Sequence, residues 1–348
     1  MGSKARFMPV LNKVIHPILK KAKAENGGRN ITFGDMFAGT GFVANYYKDS
    51  EYIDRIVSCD LELYSYVLNK ALLTTVYSVK LEMILKFFNG PNLKPVKGLI
   101  WKHFSPAGGR LFFTEENAMR IDAIRITIAR LYHIHAISYK ETLFLLACLM
   151  NACSKSANSA SCFRAYLKKF HPRSLRRIDI QPIHKSFTRI AKPHKMYKCD
   201  TIKLAKREVI DVAYLDPPYN SNHYGGYYSF YNYLLVYNKE YEISGVAGVT
   251  SAYNKSNFGF KATAKDTFYK LFENLAKTTK YIVMSYNGDG SLSKKTIIDV
   301  MRKFGDVTLY KTMNKKYRPS DRVKDTHVIE YIFVLKYGSP GWVRERWL

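Results

Sequence analysis

Cysteine is scarce and unpaired in this 348-residue chain: five residues, an odd number, with no Cys-x-x-Cys pair. That usage excludes a secreted disulfide framework and points to a reducing compartment, the cytoplasm or the interior of a host cell if the chain is viral. Long apolar runs are missing too. The longest, Leu143 to Met150, falls far short of the roughly 20 residues a bilayer-spanning helix needs, so no membrane partner is expected. Lys4 and Arg6 are followed by Pro9, Asn12 and Lys13 rather than by an apolar segment, so no secretory signal is expected. Low-complexity tracts, Pro-rich linkers and internal repeats are all absent. Acidic residues are few as well: 28 Asp+Glu stand against 55 Lys+Arg, a formal net charge of +27.

What is present supports a folded chain. Hydrophobic residues make up 47% of the sequence, enough for a real core, and the length allows two domains or one domain with a large insertion. The positive excess calls for a polyanionic partner, nucleic acid by default. It is unevenly spread. Asn151 to Ile210 holds 15 Lys+Arg against 3 Asp+Glu, a net of +12. Within it Lys168, Lys169, Arg173, Arg176, Arg177, Lys192, Lys195 and Lys198 are interleaved with Phe163, Tyr166, Phe170 and Tyr197. Such a run suits phosphate contact with some base stacking; the plain alternative is a solvated surface.

Periodicity gives a coarse map. Residues 7–24 predict an amphipathic helix that Pro17 should kink or shorten. Ile31 to Phe37 is a short apolar run ending in Ala38-Gly39-Thr40-Gly41, and Phe42 to Tyr47 follows as a helix. Arg55 to Cys59 is a second strand-like run that stops at Asp60, and Leu61 to Lys86 is helix-compatible. Strand, glycine turn, helix, strand, acid is the opening unit of a doubly wound α/β domain. Glu115–Arg130 and Lys140–Cys153 carry helical spacing, so 87–195 reads as a mostly helical insertion. Strand-like runs return at Val209–Leu215, Tyr281–Ser285, Val307–Lys311 and Val328–Leu335. The α/β core is therefore expected from two pieces, 1–86 and 196–348.

Two motifs carry chemistry. In Asp35-Met36-Phe37-Ala38-Gly39-Thr40-Gly41, glycines one residue apart let the backbone turn tightly and approach a ligand. Asp60, 19 residues beyond Gly41, stands where an acid accepts from ribose hydroxyls. A purely structural turn is the alternative, and the missing third glycine weakens a nicotinamide or flavin reading. In Asp216-Pro217-Pro218-Tyr219, two prolines fix φ and remove two donors, so the turn presents carbonyls and one carboxylate as acceptors. Tyr219 adds a flat face. That set suits an exocyclic amino group held by both hydrogens while its ring stacks; a strand-ending turn is the alternative.

FAGTG and, about 180 residues later, DPPY resemble motifs I and IV of the amino-group DNA methyltransferases, in the order of the Dam-type N6-adenine enzymes of restriction-modification systems. Met1-Gly2-Ser3-Lys4 resembles the family's first cofactor-contacting motif. TEENAMRIDAIR, ANSASCFRAYLKK, KCD at 198–200, YLDPPYNSNHYGGYY, YIVMSYNGDG and EYIFVLK extend the likeness over most of the chain. The resemblance implies a doubly wound S-adenosylmethionine-dependent methyltransferase core with a helical target-recognition insertion. Asp35 would then pair with the cofactor's α-ammonium, and Phe37 with Ala38, Gly39, Thr40 and Gly41 would wall its methionine and ribose. Asp60 would take the ribose hydroxyls, Asp200 the adenine amino group, and Lys4 would neutralise negative charge near the cofactor carboxylate.

The same resemblance implies transfer to the N6 of an adenine flipped out of duplex DNA, with no metal. Asp216 and the Pro217 carbonyl would accept the two amino hydrogens, Pro218 would hold the turn, and Tyr219 would stack on the base. Base-edge contacts are expected from the insertion, with Asn151, Ser154, Lys155, Asn158, Ser161 and Arg164 as candidates, and phosphate contacts from Lys168, Lys169, Arg173, Arg176 and Arg177. A short ATG-containing site such as CATG is implied. So are a cognate restriction endonuclease as partner and action as a monomer or weak dimer. Cytosine-N4, RNA adenine or protein amide methylation, or an inactive DNA-binding module, are the competing readings.

Other signals are weaker. Cys148, Cys153, Cys162 and His171 fit no zinc spacing, so no metal site is expected. His133 and His135 read as structural or phosphate-facing. Tyr227, Tyr228, Phe230, Tyr231 and Tyr233 read as aromatic core, with Asn220 to Tyr228 as an alternative mobile loop over the flipped base.

Overall fold

The computed structural model describes residues 4–159, 162–185, 192–220, 224–250, 254, 256–315 and 327–348. Contacts divide the chain into two units: residues 2–61, 192–223 and 255–348, and residues 62–191 with 224–254.

The first unit is built on an eight-stranded sheet. Its strands are β1 (Ile31–Asp35), β2 (Ile53–Asp60), β3 (Lys195–Lys198) and β4 (Val212–Leu215), then, after a two-stranded hairpin β5 (Ile243–Ser244) and β6 (Val249–Thr250) of the other unit, β7 (Tyr281–Asn287), β8 (Gly305–Lys315), β9 (His327–Tyr337) and β10 (Val343–Trp347). The order is β10-β8-β9-β7-β4-β1-β2-β3. Every neighbouring pair is parallel except the two that β9 makes with β7 and β8. All four residues of β4 are buried, as a strand covered on both faces requires. Met36, Val57, Leu215, Phe268, Phe272, Met284, Met301 and Phe333 belong to the apolar core on this sheet. Chain order reverses between β1 and β4: β2 and β3 run to one side, β4 and β7 to the other. In open α/β sheets that switch point is where ligands bind, at the carboxyl ends of the strands. The fold is doubly wound α/β.

The helix Met8–Glu25 buries Met8, Leu11, Val14, Ile15, Leu19 and Ala22 and runs unbroken through Pro17. The helix is not shortened at Pro17. Pro17 lies on the exposed face, where the carbonyl that loses its partner can turn to water.

The second unit is helical, with Leu63–Thr74, Val79–Asn89, Leu99–Phe104, Glu115–His133, Tyr139–Ser156 and Ser229–Val236 as its larger elements. The single helix expected over 61–86 is two. The chain is extended at Thr75, and Ser78 restarts it by accepting the Leu81 N–H. A capping box of Ser138 and Glu141 opens Tyr139–Ser156. Asp122 is fully buried yet satisfied, taking N–H bonds from Gly98, Ile100 and Trp101 and the Tyr237 hydroxyl at 2.6 Å. Phe163, expected as a base-stacking aromatic, is instead core: it stacks on Phe230 at 4.2 Å with 13° between planes. Phe230, Tyr231 and Tyr233 are buried with it, as the aromatic-core reading has it. Of the expected loop Asn220 to Tyr228, residues 221–223 lie outside the described residues and Tyr224–Tyr227 is a short helix. All five cysteines are free thiols, and among the described residues no helix is long and apolar enough to cross a membrane.

Candidate active site

The glycine turn is tied to the strands on both sides of β1. Met36 N–H donates to the Tyr214 carbonyl of β4, and Ala38 N–H to the Cys59 carbonyl of β2, both at 3.0 Å. Gly39 (φ +48°) and Gly41 (φ +73°) take the left-handed backbone that closes it, with Gly41 N–H on the Ala38 carbonyl at 2.7 Å. A Cβ on Gly39 would meet nothing nearer than the Phe37 carbonyl at 3.9 Å, so open space lies before it. Phe37 is half-buried, edge-on to Phe258 at 5.0 Å. Thr40 is also half-buried.

Two carboxylates flank this turn. Asp60, at the end of β2, accepts the Gly39 N–H on Oδ2 at 2.8 Å, so it shapes the turn as well as facing it. Asp35, at the end of β1, is only 1% exposed and accepts the Ala44 N–H at 3.1 Å. Burial pushes it up to about 7, with Asp216 and Asp60 adding to the rise and the Ala44 N–H opposing it. A buried carboxylate in that state is suited to a cationic partner. This fits the α-ammonium of S-adenosylmethionine.

Asp216 follows the last residue of β4, and β4 pairs with β1 so that Tyr214 faces Asp35. Asp216 Oδ1 has two donors: Lys4 Nζ at 2.9 Å and Ser285 Oγ at 2.9 Å. Ser285 Oγ is in turn 2.9 Å from the Tyr214 hydroxyl. Lys4, expected beside a cofactor carboxylate, thus has its ammonium on Asp216. Burial alone would lower this lysine, but Asp216 and Glu330 reverse the effect and raise it. Pro217 is buried, while Pro218 and Tyr219 are half-buried. The Tyr219 carbonyl takes the Ser291 N–H at 2.6 Å, and its ring meets Tyr286 edge-on at 6.4 Å.

Asp200 caps the helix Thr201–Ala205, its Oδ1 accepting from the Ile202 and Lys203 N–H groups at 2.8 and 3.2 Å. The Asp-Thr order before Ile202 carries that capping signal. Ser285, Tyr214 and Glu330 were not singled out from the sequence. Glu330 on β9 accepts from Asn287 Nδ2 at 3.2 Å; burial raises it, with Lys4 opposing.

The residues expected to touch DNA divide in two. Lys155, Arg164, Lys168, Lys169, Arg173 and Arg176 are exposed in the helical unit. Arg164 lies over the Tyr227 ring at 4.9 Å, and Arg173 reaches the Ala157 carbonyl at 3.4 Å. Arg177 is exposed but bonded to the Asn89 and Gly90 carbonyls at 2.9 and 3.1 Å. Asn151 and Ser154 are half-buried on Tyr139–Ser156. Asn158 does not fit base reading. It is 0% exposed, and its amide donates to the Leu111 and Leu167 carbonyls while accepting from His171 N–H and Ser174 Oγ. Ser161 lies outside the described residues. Lys192 and Lys195 belong to the sheet unit, on the Ser50 carbonyl and Glu208.

An acid-flanked glycine turn at the switch point, beside an Asp-Pro-Pro-Tyr turn on the adjacent strand, is the arrangement that the resemblance to the amino-group methyltransferases implies. Residues 1–296 match the D12 class N6 adenine-specific DNA methyltransferases, and the chain belongs to that family. It is an enzyme that uses S-adenosylmethionine to methylate the N6 of adenine in DNA. It is 30% identical over 311 residues to type II methyltransferase M.NlaIII of Neisseria lactamica, covering 87% of this chain and 90% of that protein. Type II methyltransferase M.CviAII of Paramecium bursaria Chlorella virus 1 is 32% identical over 303 residues, 86% and 89% of the two chains. Modification methylase LlaI of Lactococcus lactis subsp. lactis is 28% identical over 328 residues, 91% of this chain and 50% of that protein.

Proposed function

We propose that Asp216 and the Pro217 carbonyl accept the two hydrogens of a flipped adenine's amino group. The observation that carries this reading is the placement of Asp216 one strand away from the glycine turn, with Asp35 and Tyr214 in register. An adenine N6 lone pair is delocalised into the ring and attacks poorly. Accepting both hydrogens favours a tetrahedral nitrogen whose lone pair can aim at an electrophile. Bound S-adenosylmethionine supplies that electrophile, a sulfonium methyl group. Tyr219 stacks on the base, and Pro218 stiffens the turn. Asp35 holds the cofactor ammonium, Phe37 and residues 38–41 wall it, Asp60 takes the ribose hydroxyls, and Asp200 takes the adenine amino group with the oxygen that does not cap. Lys4 neutralises charge at the site through its bond to Asp216.

The basic helical insertion expected over 87–195 is proposed to read the target; its residues up to 191 fall in the unit that begins at Glu62, and 192–195 in the sheet unit. The exposed Lys168, Lys169, Arg173 and Arg176 take phosphates, and the family likeness suggests CATG as the site. The designation of the relatives as type II and modification methyltransferases supports a place in restriction-modification, with a cognate endonuclease, inside the cell. A monomer or weak dimer suffices, because one strand is modified at a time. Asp216→Ala should abolish transfer to duplex DNA while leaving cofactor binding nearly intact. Full activity in that variant would remove Asp216 from the mechanism.

A further inference from the structure

Asp216 has two carboxylate oxygens, and the surroundings distinguish them. Lys4 Nζ and Ser285 Oγ both donate to Oδ1, each at 2.9 Å, while no hydrogen bond reaches Oδ2 among the described residues. The serine is built into the sheet rather than placed on a loop. It lies on β7 one residue past Met284, which is the register partner of Leu215 on β4, so it stands level with Asp216. Tyr214 precedes Asp216 by two residues and therefore shares its face of the strand. Both Ser285 and Tyr214 are buried, at 0% and 1% exposure.

We propose that Ser285, backed by Tyr214, is the positioning residue that turns Asp216 so that Oδ2, and not Oδ1, accepts the hydrogen of the adenine amino group. A serine hydroxyl has one hydrogen. If that hydrogen goes to Asp216 Oδ1, the Tyr214–Ser285 contact must be made by the tyrosine hydrogen, giving a directed chain from Tyr214 through Ser285 to Asp216. Burial raises the Tyr214 phenol well above its ordinary value, so it stays a donor. Each donor in such a chain polarises the next. A rotation of the carboxylate about its last torsion would break both bonds to Oδ1 at once. The chain therefore fixes the acceptor geometry before the base arrives, which is where preorganisation contributes to rate. Neither residue touches the substrate.

The inference rests on the reading that Asp216 accepts an amino hydrogen, and the test separates the two. Single-turnover rates, cofactor affinity and the DNA KM are measured for Asp216→Ala, Ser285→Ala, Ser285→Thr, Tyr214→Phe and the Ser285→Ala/Tyr214→Phe double variant. The loss of one hydrogen bond to a charged group corresponds to a drop in kcat of about 10- to 100-fold for Ser285→Ala, with the DNA KM and cofactor affinity within about 2-fold of the parent. Ser285→Thr, which keeps the hydroxyl, should recover most of the rate. Tyr214→Phe, nearly isosteric, should lower kcat by roughly 3- to 10-fold alone and have no further effect once Ser285 is alanine. An unchanged kcat in Tyr214→Phe, or an equal effect of that change in both backgrounds, overturns the chain even if Ser285→Ala folds poorly. An active Asp216→Ala would instead sink the acceptor reading beneath it.

Discussion

Lys4 and Asp216 lie far apart in sequence, yet their side chains meet at 2.9 Å, each about a quarter exposed. The charge of Glu330 adds to that of Asp216 in raising the ammonium. Replacing Lys4 with glutamine would leave Asp216 facing Glu330 without a counter-charge. Methyl transfer by Lys4→Gln should fall by about 10-fold or more, with thermal stability changed little because the pair is partly exposed. Single-turnover kinetics beside a thermal melt check this; an unchanged rate would reduce Lys4 to a surface lysine.

Asp35 sets a pH dependence. Its folded carboxyl is held up to about 7, whereas an unfolded aspartate titrates near about 4. The folded state thus binds the extra proton across that window, and its stability falls as pH rises from about 4 to about 7. Cation binding runs the other way. Cofactor affinity should weaken by up to tenfold per pH unit as pH falls below about 7, as Asp35 takes up its proton. Calorimetric titration with S-adenosylhomocysteine from pH 5.5 to 7.5 should show this slope in the parent and lose it in Asp35→Asn. The same slope in both would place the ammonium elsewhere.

Asn158 is expected to matter for folding and not for sequence reading. Its buried side chain bonds the Leu111 and Leu167 carbonyls, the His171 N–H and Ser174 Oγ. Asn158→Ala should cost about 2–4 kcal/mol in denaturant unfolding and leave the preferred DNA site unchanged in whatever protein folds. A shifted site preference with parental stability would return it to the interface.

That contrast marks where the sequence stops being informative. The strand, glycine turn and acid around Asp35 and Asp60, and the proline turn after a buried strand at Asp216, could be read locally, because turn chemistry and apolar runs are local signals. Asn158 looked like a base reader since it is a polar residue in a basic stretch; its burial depends on Leu111, 47 residues away, and on a loop that folds back at Leu167, His171 and Ser174. Ser285 was visible only as part of a strand. Its bond to Asp216 exists because β7 packs beside β4, a non-local pairing that no periodicity encodes. Pro17 shows the converse: a solvent-facing position lets the helix continue past a residue that would locally end it. The strands β3 and β10 escaped notice because one buries a single residue, Met196, and the other is exposed throughout.

Charge supplies another test. If Lys168, Lys169 and Arg176 contact phosphates, each change to alanine should weaken binding to all duplexes alike and reduce the salt slope of log affinity by about 1. Filter binding or fluorescence anisotropy between 50 and 300 mM salt measures this, and a slope that does not move would make the +27 charge a matter of solvation.

We propose that this chain methylates adenine N6 in duplex DNA through Asp216. The most direct test is transfer of labelled methyl groups to mixed-sequence duplex DNA, digestion to nucleosides, and mapping of the modified positions. N6-methyladenine confined to one short site, CATG by the family likeness, and absent with Asp216→Ala, is the predicted result. Methylcytosine, label in RNA alone, or undiminished N6-methyladenine from Asp216→Ala would contradict it.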